Sequence, residues 1–453
     1  MSSNSWIKPD IKNPFTLNLN ELIRLKKNKK TNPKKIVQSF LKRIKEKNKY
    51  LRAISSINES YIYDQFNNID PDLPLSFIPV GIKDIYNTEI LPTKMGSPIY
   101  KNFYSGNDAR VVTNLKRAGC IVFCKTETAE FAVHHPGPTK NAYSSKHICG
   151  TSSSGSAVAV SSGMLPFALG SQTAASTIRP AAYNGIYGFK PSFGVIPRTG
   201  TLKTLDTLDH VTFFCRSSSD LRIIFDSLRV KGQNYPLVNK FYDKRINKTF
   251  FKKNKLRVGF INQKNILPID EEQLKLVQEF KFNLKKKGFK VFDLDTDQLL
   301  KNKHILHQKI YSRGLAYYFK DEFKNNKKYL SDIFIDMINE GNKIKFDEYI
   351  KLTIQQQNFI KKINDMFKNV DFVISSSTFG EAPLKNKKEK KDISLIWTLA
   401  HLPTVSVPFL KKNKLPRGLQ ITSKKYEDYK LFEFLDILKK KNLIKDVDVV
   451  NNY

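Results

Sequence analysis

Three stretches hold the residues whose types and spacing bear on chemistry. Gly81-Ile-Lys-Asp sets Lys83 in an otherwise apolar run, and Gly150-Thr-Ser-Ser-Ser-Gly-Ser-Ala-Val-Ala-Val is a Gly/Ser loop leading into small apolar residues. Gly170-Ser-Gln-Thr-Ala-Ala-Ser-Thr-Ile-Arg-Pro-Ala-Ala follows closely. A Gly/Ser loop before a helix can cradle phosphate with its backbone N–H groups. However, Gly155 is followed by Ser156 and Ala157, so the Lys-Ser or Lys-Thr of a P-loop is missing. A nucleophile elbow needs glycine at position 154, where Ser154 stands. A flexible linker fits poorly, because the apolar run Ala157–Leu169 reads as a helix that must pack in a core. Cys149 beside the loop lacks a Cys-His arrangement and reads as a small packed residue. His304 and His307 form an H-x-x-H without nearby acidic or cysteine ligands, which marks them as ordinary helix residues. Ser39 and Lys42 form an S-x-x-K whose companion motifs are missing.

Together the three stretches resemble the amidase signature family. In that family a Gly/Ser-rich loop supplies a bridging serine in a cis peptide, a later serine attacks the amide, and an upstream strand lysine is the base. The resemblance places the base at Lys83, the bridging serine at Ser152 and the nucleophile at Ser176. It extends through Lys125-Thr, Glu130-Phe, His135-Pro-Gly-Pro-Thr, 185–191, Leu205-Asp-Thr-Leu and Leu415 to Gln420, and is densest from about 75 to 225. Glycine is usual in the family at three positions that here hold Thr151, Ala175 and His401. A methyl at 175 requires a negative φ.

The residue types suit that chemistry. A serine hydroxyl is a poor nucleophile until a base takes its proton. Lysine serves only when neutral, and holding it so at pH 7 from its reference pKa costs about 4.6 kcal/mol. Burial among Ile78, Val80, Ile82 and Ile85 supplies the depression. Ser152 relays the proton between Lys83 and Ser176. The backbone N–H groups of Thr173, Ala174 and Ala175, just before the nucleophile, are the expected oxyanion donors. Arg179 is a candidate for binding a substrate carboxylate, with a loop-anchoring salt bridge as its other reading. His135 is a candidate for lining the acyl pocket, with a structural turn before Pro136 as the alternative.

The surrounding elements follow from periodicity. Asn32 and Pro33 open a helix that carries Ile36, Val37, Phe40, Leu41 and Ile44 on one face. Phe77–Asp84 reads as a buried strand, and 111–118 with the following Cys-Ile-Val-Phe as helix, turn and strand. Further strands are expected at 256–261, 289–294, 371–375 and 403–408, before Leu415-Pro-Arg-Gly-Leu-Gln-Ile-Thr and a terminal helix. The fold class is α/β, one large domain over 1–453 with a mixed central β-sheet enclosed by α-helices. Its parts are an N-terminal helical segment (1–70), the core with the motifs (75–228), a lysine-rich variable region (229–390) and closing strands and helix (391–453).

The 77 Lys plus Arg exceed the 42 Asp plus Glu, for a net charge of +35. A polyanion partner is one reading of such an excess. The lysines are scattered in short runs such as 387–391 among abundant Asn, Ile, Phe and Tyr, all with A/T-rich codons, so composition drift explains them and nucleic-acid binding is not expected. Four cysteines without a C-x-x-C spacing suit a reduced compartment. No signal-peptide pattern or membrane-spanning run is present. The expectation is a cytoplasmic amidase acting on a small-molecule carboxamide, with no metal or organic cofactor and no membrane partner; a homodimer is admitted. Two rivals stand beside it: the glutaminase component of a tRNA-dependent amidotransferase, and a catalytically silent binding protein on the same scaffold. The runs Ser171–Pro180 and His135-Pro-Gly-Pro favour a stand-alone amidase.

Overall fold

A computed structural model of the chain describes residues 4–232, 251, 256–261, 266–387 and 389–453. Lys388, within the lysine run at 387–391, therefore lies outside the described residues. Eleven strands form one sheet: β1 (Ile54–Ile57), β2 (Pro79–Lys83), β3 (Ile121–Thr126), β4 (Phe167–Gln172), β5 (Tyr187–Lys190), β6 (His210–Cys215), β7 (Arg257–Ile261), β8 (Lys290–Leu294), β9 (Phe372–Ser376), β10 (Thr404–Phe409) and β11 (Arg417–Ser423). Their spatial order is β1-β3-β2-β4-β6-β5-β10-β11-β9-β7-β8. Strand β2 runs parallel to both β3 and β4, whereas β4 pairs with β6 antiparallel. The sheet is thus mixed, as expected, and the strands around the motifs are central. Every residue of β2, β3, β4 and β6 is buried, and β2 and β3 accordingly read as near-continuous apolar runs instead of alternating ones, whereas β6 is not among the strands expected from the sequence.

Helix α1 (Pro33–Leu51) forms where the sequence places it. The Asn32 side chain accepts from the Lys35 N–H, Pro33 occupies the first turn, and the apolar face is buried. The run 157–169 corrects the sequence reading. Helix α2 (Ser154–Ser161) is short; the chain turns at Gly163 with φ +74° and resumes as β4. Alanine, valine and serine serve either element, and a short apolar run does not distinguish a buried helix from a buried strand. A second short helix, α3 (Ile178–Tyr183), begins just after the serine of the third motif.

The lysine-rich region contributes α4 (Lys303–Tyr318), α5 (Asp332–Asn342) and α6 (Phe346–Met366), followed by α7 (Ser394–Leu399). They share a hydrophobic core with Phe131, Val133, Leu205 and Leu208, apart from the larger core that follows the sheet. This second cluster lays α4 and α7 against the turn between β4 and α3. Among the described residues no helix is long and apolar enough to cross a membrane.

Candidate functional site

Lys83 ends β2 and is fully buried. Its Nζ lies 2.8 Å from Ser152 Oγ, 2.9 Å from Ser153 Oγ and 2.8 Å from Ser171 Oγ. Among the described residues it forms no ion pair. Burial drives its pKa well below the ordinary 10.5, and the charge of Asp209 opposes that only in part. An ammonium can donate to all three hydroxyls. The neutral amine keeps two donors and gains a lone pair that accepts from one hydroxyl. Three hydroxyls therefore suit both protonation states, as a site that gives and takes protons requires.

The Gly/Ser loop reaches Lys83 by close backbone packing. A Cβ on Gly155 would lie 2.4 Å from both the Ala53 carbonyl oxygen and the Glu127 nitrogen, so only glycine lets α2 start against the end of β3. The Thr151–Ser152 peptide is cis, and the Ser152 carbonyl accepts from the Ala129 N–H at 3.0 Å.

Ser176 follows β4 in the turn that leads to α3 and is 8% exposed. Its carbonyl accepts from the Ser153 N–H at 3.3 Å, joining the two serine loops. Among the described residues its hydroxyl has no hydrogen-bond partner. The Gln172 side-chain oxygen accepts from the N–H groups of Thr177 and Ile178 at 2.9 and 3.0 Å, which satisfies the start of α3. The backbone N–H groups of Thr173, Ala174, Ala175 and Ser176 donate to none of the described residues. Ala175 keeps its φ outside the left-handed region, which meets the condition on a methyl there.

The carbonyls of this turn are fixed from behind. His307 Nε2 on α4 lies 2.8 Å from the Thr173 oxygen, and Thr398 Oγ1 on α7 donates to the Ala174 oxygen at 2.7 Å. Burial lowers the His307 pKa to about 4, so the ring is neutral at pH 7. Asp209 accepts from the Thr173 and Thr204 hydroxyls at 2.7 and 2.6 Å and from the Thr204 and Leu205 N–H groups, both at 2.9 Å. A cavity of about 220 Å³ borders this region, lined in part by Ser171, Thr173, Ala132, Arg198, Asp209 and His210.

Arg179 lies one turn beyond Ser176 and is buried. Its Nε is 2.8 Å from Asp392 and its Nη1 2.6 Å from Glu389. Burial pulls the guanidinium pKa down, but the two carboxylates outweigh it and hold it above its ordinary value. This is the anchoring salt bridge of the two sequence readings. His135 is exposed and its carbonyl accepts from the Glu130 N–H at 3.1 Å, while the half-buried His134 sets its ring 6.4 Å from that of Tyr311. His401, at a position where the resembling family has glycine, takes φ +63°. A left-handed non-glycine residue costs about 1–2 kcal/mol. Its Nε2 lies 2.7 Å from the Thr207 carbonyl, and its ring stacks on Phe193 at 4.1 Å.

The structure therefore brings Lys83 and Ser152 into contact, with the Ser176 turn joined to the same loop. Sequence reasoning does not single out Ser171, Gln172, Asp209, His307 or Thr398 for this site. Ser171 and Gln172 lie within the third motif. His307 carries one usable signal, a histidine beside Leu306 and Ile310 on a buried face. Among the described residues no three His, Cys, Asp or Glu side chains gather as a metal site would require.

A protein-family model described as amidase matches residues 35–432. The chain is 28% identical to the A-type subunit of glutamyl-tRNA(Gln) amidotransferase from Endomicrobium trichonymphae over 455 aligned positions, covering 88% of this chain and 92% of that protein. A solved amidase superposes with a TM-score of 0.82 at 22% identity, over 94% of this chain and 100% of that one. The corresponding amidotransferase subunit from Thermotoga maritima superposes with a TM-score of 0.79 at 23% identity, over 99% and 100%. At these identities the two structures speak for the fold.

Proposed function

From the premise that the chain belongs to the amidase family, we propose that it hydrolyses a small carboxamide through an acyl-enzyme on Ser176, with Ser152 relaying a proton to Lys83. The observation that carries this reading is the setting of Lys83, a fully buried amine touched by serine hydroxyls and, among the described residues, by no carboxylate.

Neutral Lys83 accepts the Ser152 proton as Ser152 accepts that of Ser176, and Ser176 Oγ attacks the substrate carbonyl. The N–H groups of the 173–176 turn, which donate to none of the described residues, receive the oxyanion. Losing one such donor typically costs about 2.7–4 kcal/mol of barrier. The proton returns through Ser152 to the leaving nitrogen as the C–N bond breaks. Water then repeats the sequence on the acyl ester, releasing a carboxylic acid. The pairing of Arg179 with two carboxylates favours substrates that do not depend on that guanidinium to hold a carboxylate.

An alkyl fluorophosphonate tests the assignment, since it phosphonylates an activated serine. Peptide mapping is expected to find the adduct on Ser176. Labelling at Ser152 or Ser153, or undiminished labelling of Ser176→Ala protein, would overturn it. A second reading, the ammonia-supplying component of an amidotransferase, draws on the similarity to the glutamyl-tRNA(Gln) amidotransferase relative along most of the chain. Co-purification of a second protein from the native source, with amide hydrolysis only in the complex, would favour it over the stand-alone enzyme.

A further inference from the structure

Helix α4 crosses behind the Ser176 turn with His307 on its buried side, 3% exposed, between Leu306 and Ile310. A carbonyl oxygen only accepts, so the 2.8 Å contact to the Thr173 oxygen requires the proton on Nε2. Burial keeps the ring neutral, with the Thr173 carbonyl pulling weakly the other way. The donor is therefore a fixed dipole, and its own titration does not interrupt it near neutral pH.

The peptide unit is planar and trans, so its C=O and N–H point in opposite directions. Tying the Thr173 carbonyl to α4 turns the Ala174 N–H away from α4, and tying the Ala174 carbonyl to Thr398 turns the Ala175 N–H away from α7. Thr398 has a competing acceptor in the Ser394 carbonyl at 3.1 Å, but the Ala174 oxygen is nearer at 2.7 Å. Residues 173–177 lie between β4 and α3, so neither strand nor helix hydrogen bonding sets these two planes.

We propose that His307 is a positioning residue for the oxyanion-binding turn, with Thr398 as its companion, so that α4 of the lysine-rich region takes part in catalysis without touching substrate. This rests on the acyl-enzyme reading above. Saturation kinetics with an alkyl fluorophosphonate separate the maximal rate of phosphonylation (kinact) from reagent binding (KI). His307→Leu removes the donor and is expected to lower kinact by ~10- to 100-fold, less than the ~10² to 10³ for losing an oxyanion donor outright. KI is expected to hold within about two-fold, because the interaction matters chiefly in the transition state. The rate of acylation should still rise with pH through the same apparent pKa as Lys83 loses its proton, since the surroundings of Lys83 are untouched. His307→Gln places an amide N–H where Nε2 stood and should recover kinact to within about three-fold.

Wild-type kinact in folded His307→Leu, equal impairment of the Leu and Gln variants, or a displaced limb would overturn the proposal. If His307→Leu does not fold, Thr398→Val serves in its place: a loss in kinact at constant KI supports the brace, and unchanged kinact contradicts it. Should wild-type protein fail to label at Ser176, the acyl-enzyme reading falls first. A labelled wild type with indifferent His307 variants sinks the positioning role alone.

Discussion

Two lysines lie one register apart on neighbouring strands and are buried equally, yet they meet different partners. Ile82 of β2 pairs with Lys125 of β3, and Lys83 with Thr126. Side chains alternate across a sheet, so Lys83 and Lys125 leave on opposite faces. Lys125 Nζ contacts the Tyr86 carbonyl at 2.6 Å, Thr93 Oγ1 at 2.9 Å and Asp84 at 3.4 Å. Burial lowers its pKa and Asp84 raises it again, leaving about 8. Lys83 has hydroxyls and no carboxylate within ion-pair reach among the described residues, and burial lowers its pKa well below the ordinary value. Burial alone therefore does not set the two lysines apart. A carboxylate partner holds a lysine charged and makes it a strut, whereas hydroxyl partners leave it free to lose its proton.

Removing each amine should separate the two roles. Lys83→Ala should lower the rate of acylation by ~10² to 10⁴, the range for loss of general-base help, while circular dichroism shows a native fold. Ser152→Ala should fall in the same range, because it breaks the relay with both ends in place. Lys125→Met should instead act on stability. It removes the cation beside buried Asp84, whose carboxylate keeps the Ser55 hydroxyl and the Lys94 N–H as donors, so the loss should fall below the about 3–5 kcal/mol of a buried charge left without partners. Urea unfolding reads that loss, and a Lys125→Met protein of wild-type stability would contradict the strut.

A smaller contrast lies in single hydroxyls. Thr93→Val deletes one acceptor of Lys125 and should cost about 1 kcal/mol of stability with acylation unchanged. Ser171→Ala deletes one of the three hydroxyls around Lys83 and should shift the pH at which activity rises even where stability changes equally little. Identical behaviour of the two variants in the pH profile would erase the distinction between the lysines.

Stability itself should depend on pH with a definite sign. Both lysines bind their proton more weakly folded than unfolded, so the unfolded chain takes up protons between the lowered pKa and about 10.5. Their contributions to stability therefore rise with pH through that window, from about 8 upward for Lys125. Lys125→Met should flatten that part of the stability profile.

Local signals make much of this legible. The strand ending at Lys83 shows in its run of isoleucine and valine, and the first helix in the Asn32 cap and the spacing of its apolar residues. Lys83, Ser152 and Ser176 come from the resemblance of three ordered motifs. The run 157–169 misleads because small residues satisfy both helix and strand, with only Gly163 to mark the turn. The partners of Arg179 lie 210 and 213 residues away, and that of His307 134 residues away. No local periodicity reports such pairings. They depend on how the lysine-rich helices pack over the sheet, and that packing is set by a second core whose members are scattered from Met95 to Leu402.

The central claim is that Lys83 is the neutral base, and the pH dependence of Ser176 acylation tests it most directly. A depressed amine predicts a rate that rises along a limb whose apparent pKa lies well below 10.5 and belongs to the coupled Lys83–Ser152 site. Below that pKa Lys83 is protonated and cannot accept from Ser152; above it the relay runs. In Lys83→Ala the limb should vanish, while Lys125→Met, measured where it is folded, should keep it in place. A well-folded Lys83→Ala protein that acylates Ser176 at a near wild-type rate at neutral pH, with the limb intact, would show that another group is the base.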